Sequence, residues 1–402
     1  MAKPYPYFIS LSEARELLEE NLATITSEIL PLDKCLGRIL FSAVKAYVND
    51  PPFDNSSMDG FAVMYNDTLS PPTTLSIIGQ SVAGKGNITA SITNSQAYKI
   101  MTGAPMPTGA DSIIPIEDCE IKGENVILHH RSKPHYVRNK GENFQSGQII
   151  LSKGDYLGPE QMSLCAASGN FELSVVKKLR FAVISTGDEL KSKGEKLDYG
   201  EIYESNSYGI CGLIESYGHH AVKYDSVIDD IDSLRKTLND AAENCDVIIT
   251  SGGVSMGDRD FVRKIMEEEG DIKFWRVKMR PGSPPIFGHW SGTPIFGLPG
   301  NPVSSHVVFR ALVAHWIRKT TGSEKPKEIE IDAKLSHDIK TSPDFTTFRR
   351  VSVYRDNIGY TAELKGHQGS GNIAGIAHSD GLTILGPECQ GLAGDVCRIM
   401  LL

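Results

Sequence analysis

The feature that most constrains how this chain can fold is the stretch from residue 245 to 260, which reads CDVIITSGGVSMGDRD. Val247 to Thr250 is a short, mostly β-branched apolar run, which is too brief for a helix and typical of a buried parallel strand. Gly252 and Gly253 end the run, and residues 258–266 can continue as a helix. A strand, a glycine turn and a helix in succession present free backbone N–H groups to an anion.

Two other segments repeat this order of elements. Residues 179–190 read LRFAVISTGDEL, and residues 294–305 read PIFGLPGNPVSS, which leads into a helical run from His306 to Lys319. A further strand with acids behind it is predicted at residues 221–227. We therefore predict an α/β block from about 179 to 322, with a parallel sheet whose glycine turns meet at one edge. Open α/β sheets bind their ligands at that carboxyl edge.

Composition excludes several classes of protein. The chain of 402 residues carries a formal net charge of −9, which argues against a broad basic surface for nucleic acid. Its seven cysteines are scattered without a CxxC pair, which excludes zinc-finger and thioredoxin sites and fits the reducing cytosol. No apolar stretch approaches the roughly 20 residues of a spanning helix. The sequence therefore predicts a cytoplasmic protein of roughly two to four domains without a membrane segment.

The remaining segments are predicted from their local patterns. The first helix is expected to run from a cap at Ser10 or Ser12 to about Leu22. Short alternating runs with frequent glycine and proline predict β structure over residues 73–150, and a small β barrel or sandwich over residues 327–402. Loops rich in small polar or charged residues lie at 49–63, 98–111 and 137–143.

Acidic and basic side chains follow the predicted strands. Carboxylates are hard oxygen ligands that suit Mg²⁺, which binds one or two of them together with substrate phosphate oxygens. Guanidinium groups bind oxyanions through paired hydrogen bonds. One interpretation is a phosphorylated substrate bridged by Mg²⁺, with a second anion held by arginine; the other is an ion-pair network on a loop surface. The acids are Asp188, Glu189, Asp229, Asp258 and Asp260, and the cations in WRVKMRPGSPP are Arg276, Lys278 and Arg280.

The sequence lacks the usual motifs of phosphate-binding P-loops and of zinc catalysis. GGVSMG does not match the P-loop pattern GxxxxGK[ST], and no HExxH motif occurs. Catalysis would then depend on metal-assisted positioning and electrostatic stabilisation.

Nine motifs, spaced along nearly the whole chain, carry a resemblance to a known family. In chain order they are DNSSMDGFAV, IMTGAPMPTGAD, VRNKGEN, STGDEL, SGGVSMGDRDF, MRPGSPP, GLPGNPVSS, FRRV and GSGNIAG. The set resembles the molybdopterin molybdenumtransferase family, which includes MoeA and the E domain of gephyrin. The resemblance implies Mg²⁺-dependent insertion of molybdate into adenylylated molybdopterin, with release of AMP, to give the molybdenum cofactor.

The same resemblance implies a multidomain fold of α/β and β parts. These parts are a three-layer parallel α/β domain of the molybdopterin-binding type, a β-rich domain, a split helical linker domain and a small C-terminal β barrel. The implied boundaries are residues 1–45 with 147–178 for the linker, 46–146 for the β-rich domain, 179–325 for the α/β domain and 326–402 for the barrel. An elongated homodimer with its site at the subunit interface is also implied.

The resemblance further assigns roles to the residues that match its motifs. Catalytic roles fall to Asp59, Thr102, Glu142, Glu189 and Asp260. Mg²⁺ would be bound by Glu189, Asp229 and Asp260, and the pterin with its pyrophosphate by Gly252, Gly253, Ser255, Asp229, Pro299, Gly300, Pro302 and Arg138. Molybdate would contact Arg276, Arg280, Pro281, Arg350 and Ser370. The residues of the β-rich domain, Asp59, Thr102, Arg138 and Glu142, would reach the cleft of the partner subunit.

Three departures from the family pattern bear on the site. Asn143 stands where many members have an aspartate, so a metal role is not carried over to it. Arg276 and Arg280 stand where lysines are common, with Ser283 in place of a further lysine. Arginine keeps the charge and adds a planar fork, so anion binding should survive while the preference between oxyanions can differ. Asp344 and Phe345 replace a frequent glycine–arginine pair, which leaves Arg349 and Arg350 as cations of that segment.

Two alternative functions stay open at this point. One is adenylyl transfer to molybdopterin, the activity of a related single-domain family, although the extra domains at both ends argue against it. The other is a non-catalytic paralogue that binds molybdopterin or acts as a scaffold. Expected partners are a second copy of the chain, with transient contacts to the molybdopterin adenylyltransferase and to molybdoenzymes or their chaperones. The sequence does not decide between molybdate and tungstate.

Overall fold

Short apolar strands and glycine turns assemble into one large sheet, as the sequence predicts for the α/β block. The computed structural model describes residues 4–84, 91–257 and 260–402. The seven strands of the sheet have the order Tyr7–Ile9, Asp271–Val277, Ile286–Trp290, Thr293–Leu298, Val247–Ser251, Arg180–Ser185 and His220–Lys223. The last four run parallel to one another. The parallel arrangement predicted for the three segments with glycine turns is therefore confirmed.

One strand, Ile286–Trp290, runs antiparallel to both of its neighbours. The reason is local, because only Ser291 and Gly292 join it to Thr293–Leu298, and both have positive φ angles, 50° and 84°. A two-residue turn joins antiparallel strands, whereas a parallel pair needs a long crossover. As a result, Asp271–Val277 again runs in the direction of the parallel strands, so its end lies at the same edge of the sheet as their glycine turns.

Helices cover both faces of the sheet and give the α/β domain three layers. Val247 and Ile249 enter one apolar core while Ile248 enters the other, as the alternation of side chains along a strand requires. The first core includes helices Asn206–Ser216 and Pro302–Val308, and the second includes Ile231–Asn244 and Phe261–Glu268. None of the helices in the described part of the chain combines the length and the apolar character that crossing a membrane requires.

The long helix after Gly300 changes its hydrogen-bond pattern on the way. It runs as Pro302–Val308, a π-helical turn Phe309–Val313, and Ala314–Thr321. It begins at Pro302 rather than at the predicted His306, because proline lacks only an N–H that the first turn does not use. Gly322 ends it in the left-handed conformation, with a φ angle of 68°.

Residues of the predicted β-rich domain form a six-stranded sheet. Its order is Ser112–Pro115, Gly60–Val63, Gln96–Ile100, Thr73–Ser81, Asn125–Leu128 and Cys119–Lys122. Phe61, Val63 and Ile114 are fully buried in its core. A separate ladder joins Asn55–Ser56 to Val137–Arg138 and so brings two of the predicted polar loops together.

The segments on either side of this β-rich region pack on each other. Ser27–Pro31 pairs with Glu172–Val176, and Val44–Lys45 pairs with Ile149–Leu151. With helix Pro159–Ala167 they enclose a small core that contains Cys35, Leu40, Leu157 and Cys165. The split linker is therefore part of the fold, while the residue boundaries of the four domains stay predictions.

The C-terminal residues form a closed barrel of five strands, so the barrel was the correct one of the two predicted alternatives. The order is Glu330–Leu335, Tyr360–Leu364, Arg350–Arg355, Gly381–Ile384 and Val396–Leu401. Thr346–Thr347, just before the barrel strand Arg350–Arg355, pairs in parallel with Met279–Arg280 of the α/β domain. This pairing fixes one side of the barrel against the sheet edge at which the glycine turns lie.

The first helix, Leu11–Glu19, attaches the N-terminal segment to the large sheet. Ser10 caps it, and Glu13 completes a capping box. Ala14 and Leu18 are fully buried in the core that the long helix also enters. The helix ends at Glu19, before the predicted Leu22, because Asn21 turns back and donates its Nδ2 to the carbonyl of Leu17 at 2.8 Å.

We expect the variant Leu18→Ala to lower the free energy of unfolding by about 2–5 kcal/mol, because a fully buried side chain is replaced by a cavity. Leu22→Ala is the matched control, since Leu22 is 42% exposed and its loss should cost less than about 0.5 kcal/mol. Urea denaturation followed by tryptophan fluorescence measures both. Equal losses in the two variants would contradict this packing of the first helix.

Candidate active site

The turns that follow the parallel strands meet around a cavity of about 320 Å³ at the carboxyl edge of the sheet. Each of the three glycine-turn segments contributes to it, and Pro284 closes one side. Eight residues proposed for the site from the sequence lie together here: Glu189, Asp229, Gly252, Gly253, Ser255, Asp260, Pro299 and Gly300. The cavity is therefore a carboxylate-lined pocket built on glycine turns.

Two turns approach each other so closely that only glycine fits between them. Gly252 has a φ angle of 101°, and its backbone N–H donates to the carbonyl of Leu298 at 3.0 Å. A Cβ at Gly252 would lie 2.6 Å from the carbonyl oxygen of Thr186. The Oγ1 of Thr186 is buried and has no hydrogen-bond partner among the described residues. The turns of neighbouring strands are therefore held in direct backbone contact at the wall of the cavity.

The acids of the cavity lie on loops that are fixed by backbone hydrogen bonds. Asp260 immediately precedes helix Phe261–Glu268, and its carboxylate accepts from the N–H of Gly257. The backbone N–H of Asp229 donates to the Oδ1 of Asp188 at 3.0 Å, which ties the turn after one strand to that after the next. Asp258, which the sequence also suggested, lies outside the described residues.

The acids provide the right kind of donor for Mg²⁺, without a complete preformed site. Glu189, Asp229 and Asp260 line one cavity and offer hard carboxylate oxygens. Within the described ranges no group of three or more His, Cys, Asp or Glu side chains is arranged to hold a metal ion. Mg²⁺ commonly uses only one or two carboxylates and completes its shell with water and substrate phosphate. The residues therefore fit a magnesium ion that arrives with a phosphorylated substrate.

A second cavity of about 620 Å³ adjoins the first and shares Thr186, Glu189, Gly300 and Asn301 with it. Pro302 lines this second cavity, together with Gly371 and Ile373 from the C-terminal part of the chain. The backbone N–H of Val303 donates to the carbonyl of Ser370 at 3.1 Å, which holds that C-terminal loop against the start of the long helix. Ser370 is therefore at the edge of the second cavity rather than in the first.

Two polar residues of the second cavity, Glu204 and Asn206, were not identified from the sequence. Asn206 donates its Nδ2 to the Oγ of Ser251 at 2.8 Å and to the carbonyl of Gly300 at 2.7 Å. It thereby connects the end of a central strand to the turn that lines both cavities. Their segment, IYESNS, has no apolar periodicity, and the run of polar residues before helix Asn206–Ser216 was the only available signal.

Glu204 is buried and fully engaged in hydrogen bonds. Burial alone would raise its pKa, but hydrogen bonds from the hydroxyl and N–H of Ser207 and from Ser185, together with the charge of Lys223, lower the pKa below the ordinary value. Ser185 donates to its Oε1 at 2.9 Å, and the N–H of Ser207 does so at 2.7 Å. The Nζ of Lys223 lies 3.5 Å from its Oε2. The side chain is therefore a charged anchor beneath the second cavity.

Three guanidinium groups lie near this edge of the sheet, those of Arg276, Arg350 and Arg280. Arg276 is half-buried, and its Nη1 lies 3.0 Å from the hydroxyl of Tyr7 and 3.4 Å from the sulfur of Met256, in the turn that lines the first cavity. Arg350 is buried and donates its Nη2 to the carbonyl of His367 at 2.6 Å. The Nε atoms of both have no hydrogen-bond partner in the described part of the chain. Burial and the charge of Arg349 lower the pKa of Arg350.

The remaining two residues proposed as molybdate contacts, Arg280 and Pro281, follow Arg276 a few positions further along the chain. Arg280 is exposed and donates its Nη1 to the Oγ of Ser342 at 3.1 Å. Pro281 follows it and belongs to neither cavity as the described residues define them. The basic residues thus lie around the carboxylate pocket rather than within it.

The residues proposed from the β-rich domain form a separate group. The Oδ1 of Asp59 accepts from the N–H of Thr102 at 2.7 Å and from its hydroxyl at 3.1 Å, and these two bonds lower the pKa of Asp59. Arg138 lies on the ladder strand opposite Asn55, and Glu142 accepts from the N–H of Asn139 at 2.7 Å. Long-range pairing therefore gathers these loops, but within one chain they line neither of the two cavities.

Asn143 is held inside this second group. Its Nδ2 donates to the Oδ2 of Asp50 at 2.9 Å, and its backbone N–H donates to the carbonyl of Asp50 at the same distance. An aspartate here would place two carboxylates side by side, which asparagine avoids by acting as a donor.

Comparison with known proteins follows this architecture along the chain. Residues 9–169 match the MoeA N-terminal region (domain I and II), residues 182–319 a probable molybdopterin binding domain, and residues 332–402 the MoeA C-terminal region (domain IV). The molybdopterin molybdenumtransferase of Haemophilus influenzae is 32% identical over 94% of this chain and 95% of its own length. Molybdopterin molybdenumtransferase 2 of Mycobacterium tuberculosis is 33% identical over 93% and 94%.

A solved structure agrees with the fold as well. The crystal structure of the molybdopterin biosynthesis moeA protein from Pyrococcus horikoshii OT3 superposes with a TM-score of 0.85 at 26% sequence identity, covering 98% of this chain and all of that one. The fold and the glycine-turn cavity therefore define a multidomain protein of the molybdopterin-binding class. The chain belongs to the molybdopterin molybdenumtransferase (MoeA) family and is an enzyme of molybdenum cofactor biosynthesis. The resemblance drawn from the nine motifs is confirmed.

We expect Glu204→Gln to destabilise the protein most near neutral pH. A carboxylate whose folded-state pKa is lowered stabilises the fold above its unfolded value of about 4.5, and that contribution is lost as the pH falls through the lower folded value. The loss at pH 7 should be about 1–3 kcal/mol, because a hydrogen-bonded buried charge is removed. Urea midpoints at several pH values between 7 and 4 measure it, with exposed Glu195→Gln as the control. If the difference in urea midpoint between the variant and wild type did not decrease as the pH falls from 7 to 4, the charged state of Glu204 would be contradicted.

Proposed function

We propose that this chain inserts molybdate into adenylylated molybdopterin, in a Mg²⁺-dependent reaction that releases AMP. The observation that carries the proposal is the juxtaposition at one sheet edge of a carboxylate-lined cavity and unpaired guanidinium donors. A substrate that has both a phosphoanhydride and a site for a small oxyanion uses both kinds of group. The choice of molybdopterin as the substrate and of molybdenum as the inserted metal is based on the names of the relatives.

The phosphoanhydride would lie in the first cavity. Glu189, Asp229 and Asp260 would hold Mg²⁺ through their carboxylate oxygens, which would leave positions for substrate phosphate. The ion would supply neutralisation of charge on the phosphoanhydride as the bond to AMP breaks. The turn at Gly253 would present its backbone N–H without a side chain in the way, whereas the N–H of Gly252 is already bonded to the carbonyl of Leu298.

Molybdate, a tetrahedral dianion, would be held beside that cavity by arginine. Arg276 contacts Met256, which lies between two lining residues of that cavity, Ser255 and Gly257, and the Nε of Arg276 lacks a partner among the described residues. Arg280 lies beyond it along the chain, and Arg350, at the start of a barrel strand, donates to the carbonyl of His367 in the loop that also contains Ser370. Guanidinium groups donate paired hydrogen bonds that suit oxyanions, and they stay protonated at any physiological pH.

The β-rich group would act on a partner subunit. Asp59 and Thr102 form a prearranged carboxylate–hydroxyl pair, yet the pair lies outside both cavities of its own chain. A homodimer in which Asp59, Thr102, Arg138 and Glu142 face the other subunit's cavity would complete the site. We place the reaction in the cytoplasm, with the adenylylated substrate received from the adenylyltransferase and the product passed to molybdoenzymes or their chaperones.

The defining experiment mixes purified protein with adenylylated molybdopterin, Mg²⁺ and molybdate, and follows AMP by chromatography. Molybdate-dependent release of AMP is the expected result. ATP-dependent adenylylation of molybdopterin would point instead to the adenylyltransferase activity. Binding without turnover would point to a scaffold, and either of these outcomes would refute the proposal.

We expect Glu189→Gln and Asp260→Asn each to slow AMP release by about a hundredfold or more, because loss of a metal ligand removes several kcal/mol of charge stabilisation. Both changes keep the size of the side chain, so circular dichroism should match wild type. Exposed Glu195→Gln is the control and should keep the wild-type rate. Wild-type rates in both cavity variants would remove the Mg²⁺ assignment.

A complementation test addresses the shared site. Asp59→Asn and Glu189→Gln homodimers should each be inactive, whereas co-refolded or co-expressed mixtures should recover about a quarter of wild-type activity, since half of the dimers have one of two symmetric sites intact. Light scattering would confirm the dimer. A mixture as inactive as its parents would place both residues in a site within one chain.

A further inference from the structure

Two aromatic rings connect the guanidinium groups of Arg276 and Arg280. The guanidinium carbon of Arg276 lies 4.7 Å from the ring centre of Phe8, and that of Arg280 lies 4.6 Å from the ring centre of Phe345. The two rings meet edge to face, with centres 5.6 Å apart and planes inclined by 69°. The four side chains form a continuous row, Arg276–Phe8–Phe345–Arg280, which we call the stacked row.

The backbone that places this row comes from three distant parts of the chain. Strand Tyr7–Ile9 pairs in parallel with Asp271–Val277, and Thr346–Thr347 pairs in parallel with Met279–Arg280. Phe8, Arg276 and Asp344 all have left-handed φ angles, 57°, 65° and 65°. Residues other than glycine hold such angles only where the surrounding structure enforces them, and these positions cluster at binding sites. The local backbone is therefore strained in favour of this arrangement of side chains.

Neither guanidinium group of the stacked row has a carboxylate among its hydrogen-bond partners in the described part of the chain. Within the described residues, the hydrogen bonds of the two guanidinium groups go to neutral partners, the hydroxyl of Tyr7, the sulfur of Met256 and the hydroxyl of Ser342. Arg349 lies near this row, since the charge of Arg280 contributes, after burial, to lowering the pKa of Arg349. Guanidinium groups whose hydrogen bonds go to neutral partners attract an anion.

We propose that Phe8 and Phe345 are positioning residues for the oxyanion: they hold Arg276 and Arg280 as one rigid pair at the rim of the first cavity. An unsupported arginine side chain has many rotamers, and stacking fixes the plane of its guanidinium while leaving the N–H edge free for paired hydrogen bonds. A lysine ammonium is not planar, so stacking on a ring would not orient its N–H groups in this way. The two rings lie beside Arg276 and Arg280, the two positions where this chain has arginine and lysine is common in the family. The inference rests on the proposed function, because molybdate is the anion named there.

The kinetic test replaces each ring by an aliphatic side chain. Phe8→Leu and Phe345→Leu should raise the half-saturating molybdate concentration of AMP release by roughly three- to tenfold, the scale of one cation–π contact. The rate at saturating molybdate should stay within about twofold, since the rings touch no reacting atom. Phe345→Tyr keeps a ring and should behave as wild type. The matched control is Tyr360→Leu, which removes another arginine–ring contact, 5.7 Å to Arg355 on the barrel.

Two readouts do not require turnover. Equilibrium dialysis with molybdate, followed by metal analysis, measures oxyanion binding directly and should show the same loss of affinity. Phenylglyoxal modification of the ligand-free protein, mapped by mass spectrometry, should accelerate at Arg276 in Phe8→Leu and at Arg280 in Phe345→Leu, but only at Arg355 in Tyr360→Leu.

The outcomes separate this inference from the proposed function. Unchanged half-saturation together with unchanged modification rates would overturn the positioning role while leaving the transferase activity intact. Faster modification and weaker molybdate binding in a protein that releases no AMP would support the stacked row and refute the proposed reaction. A fall in the rate at saturating molybdate, with the half-saturating concentration unchanged, would also overturn the positioning role.

Discussion

The contact between two glycine turns is the constraint on which the site depends. The N–H of Gly252 donates to the carbonyl of Leu298 at 3.0 Å, and its α-carbon faces the carbonyl of Thr186 where no side chain fits. Three strand ends are thereby drawn close enough to share one cavity of about 320 Å³. Any side chain in place of Gly252 would separate them and would also strain a backbone with a φ angle of 101°. Together with the parallel pairing of the strands, this contact brings the carboxylates that follow them to one cavity.

The reversed strand Ile286–Trp290 extends the site beyond these turns. With two antiparallel neighbours it restores the direction of Asp271–Val277, so Arg276 lies near the same edge as the acids. The stretch that contains Arg276 and Arg280 is in turn bordered by Tyr7–Ile9 on one side and by Thr346–Thr347 on the other. The N-terminal segment and the approach to the barrel therefore both border this edge of the sheet, which gives a physical reason for domains at both ends of the α/β fold.

Much of this arrangement could be predicted from the sequence because its causes are local. The β-branched run before Gly252, the acids after each strand and the serine cap at Ser10 depend on neighbouring residues. Two further features also have local causes, but their signals are only one or two residues long. The direction of Ile286–Trp290 follows from the turn at Ser291 and Gly292. The end of the first helix depended on one hydrogen bond from Asn21.

The parts of the site that the sequence did not indicate have no periodic pattern. Glu204 and Asn206 become important only because helix Asn206–Ser216 starts beside the turn of Gly300. The stacked row joins residues near positions 8, 276 and 345, and its members include departures from the family pattern, so resemblance could not supply it either. The loops of the β-rich domain could be recognised by motif, but their distance from the acids becomes visible only in three dimensions.

The parallel pairing of Thr346–Thr347 with Met279–Arg280 gives the C-terminal barrel a role that its position in the chain conceals. A chain that ended after the long helix, at about Gly322, would keep every acid of the first cavity. It would lack Ser342, Phe345 and Arg350. Such a fragment would keep the carboxylate-lined cavity and would leave the guanidinium of Arg280 without its hydroxyl and aromatic neighbours. The residues that follow the α/β domain therefore determine the surroundings of its basic side chains as well as forming a barrel of their own.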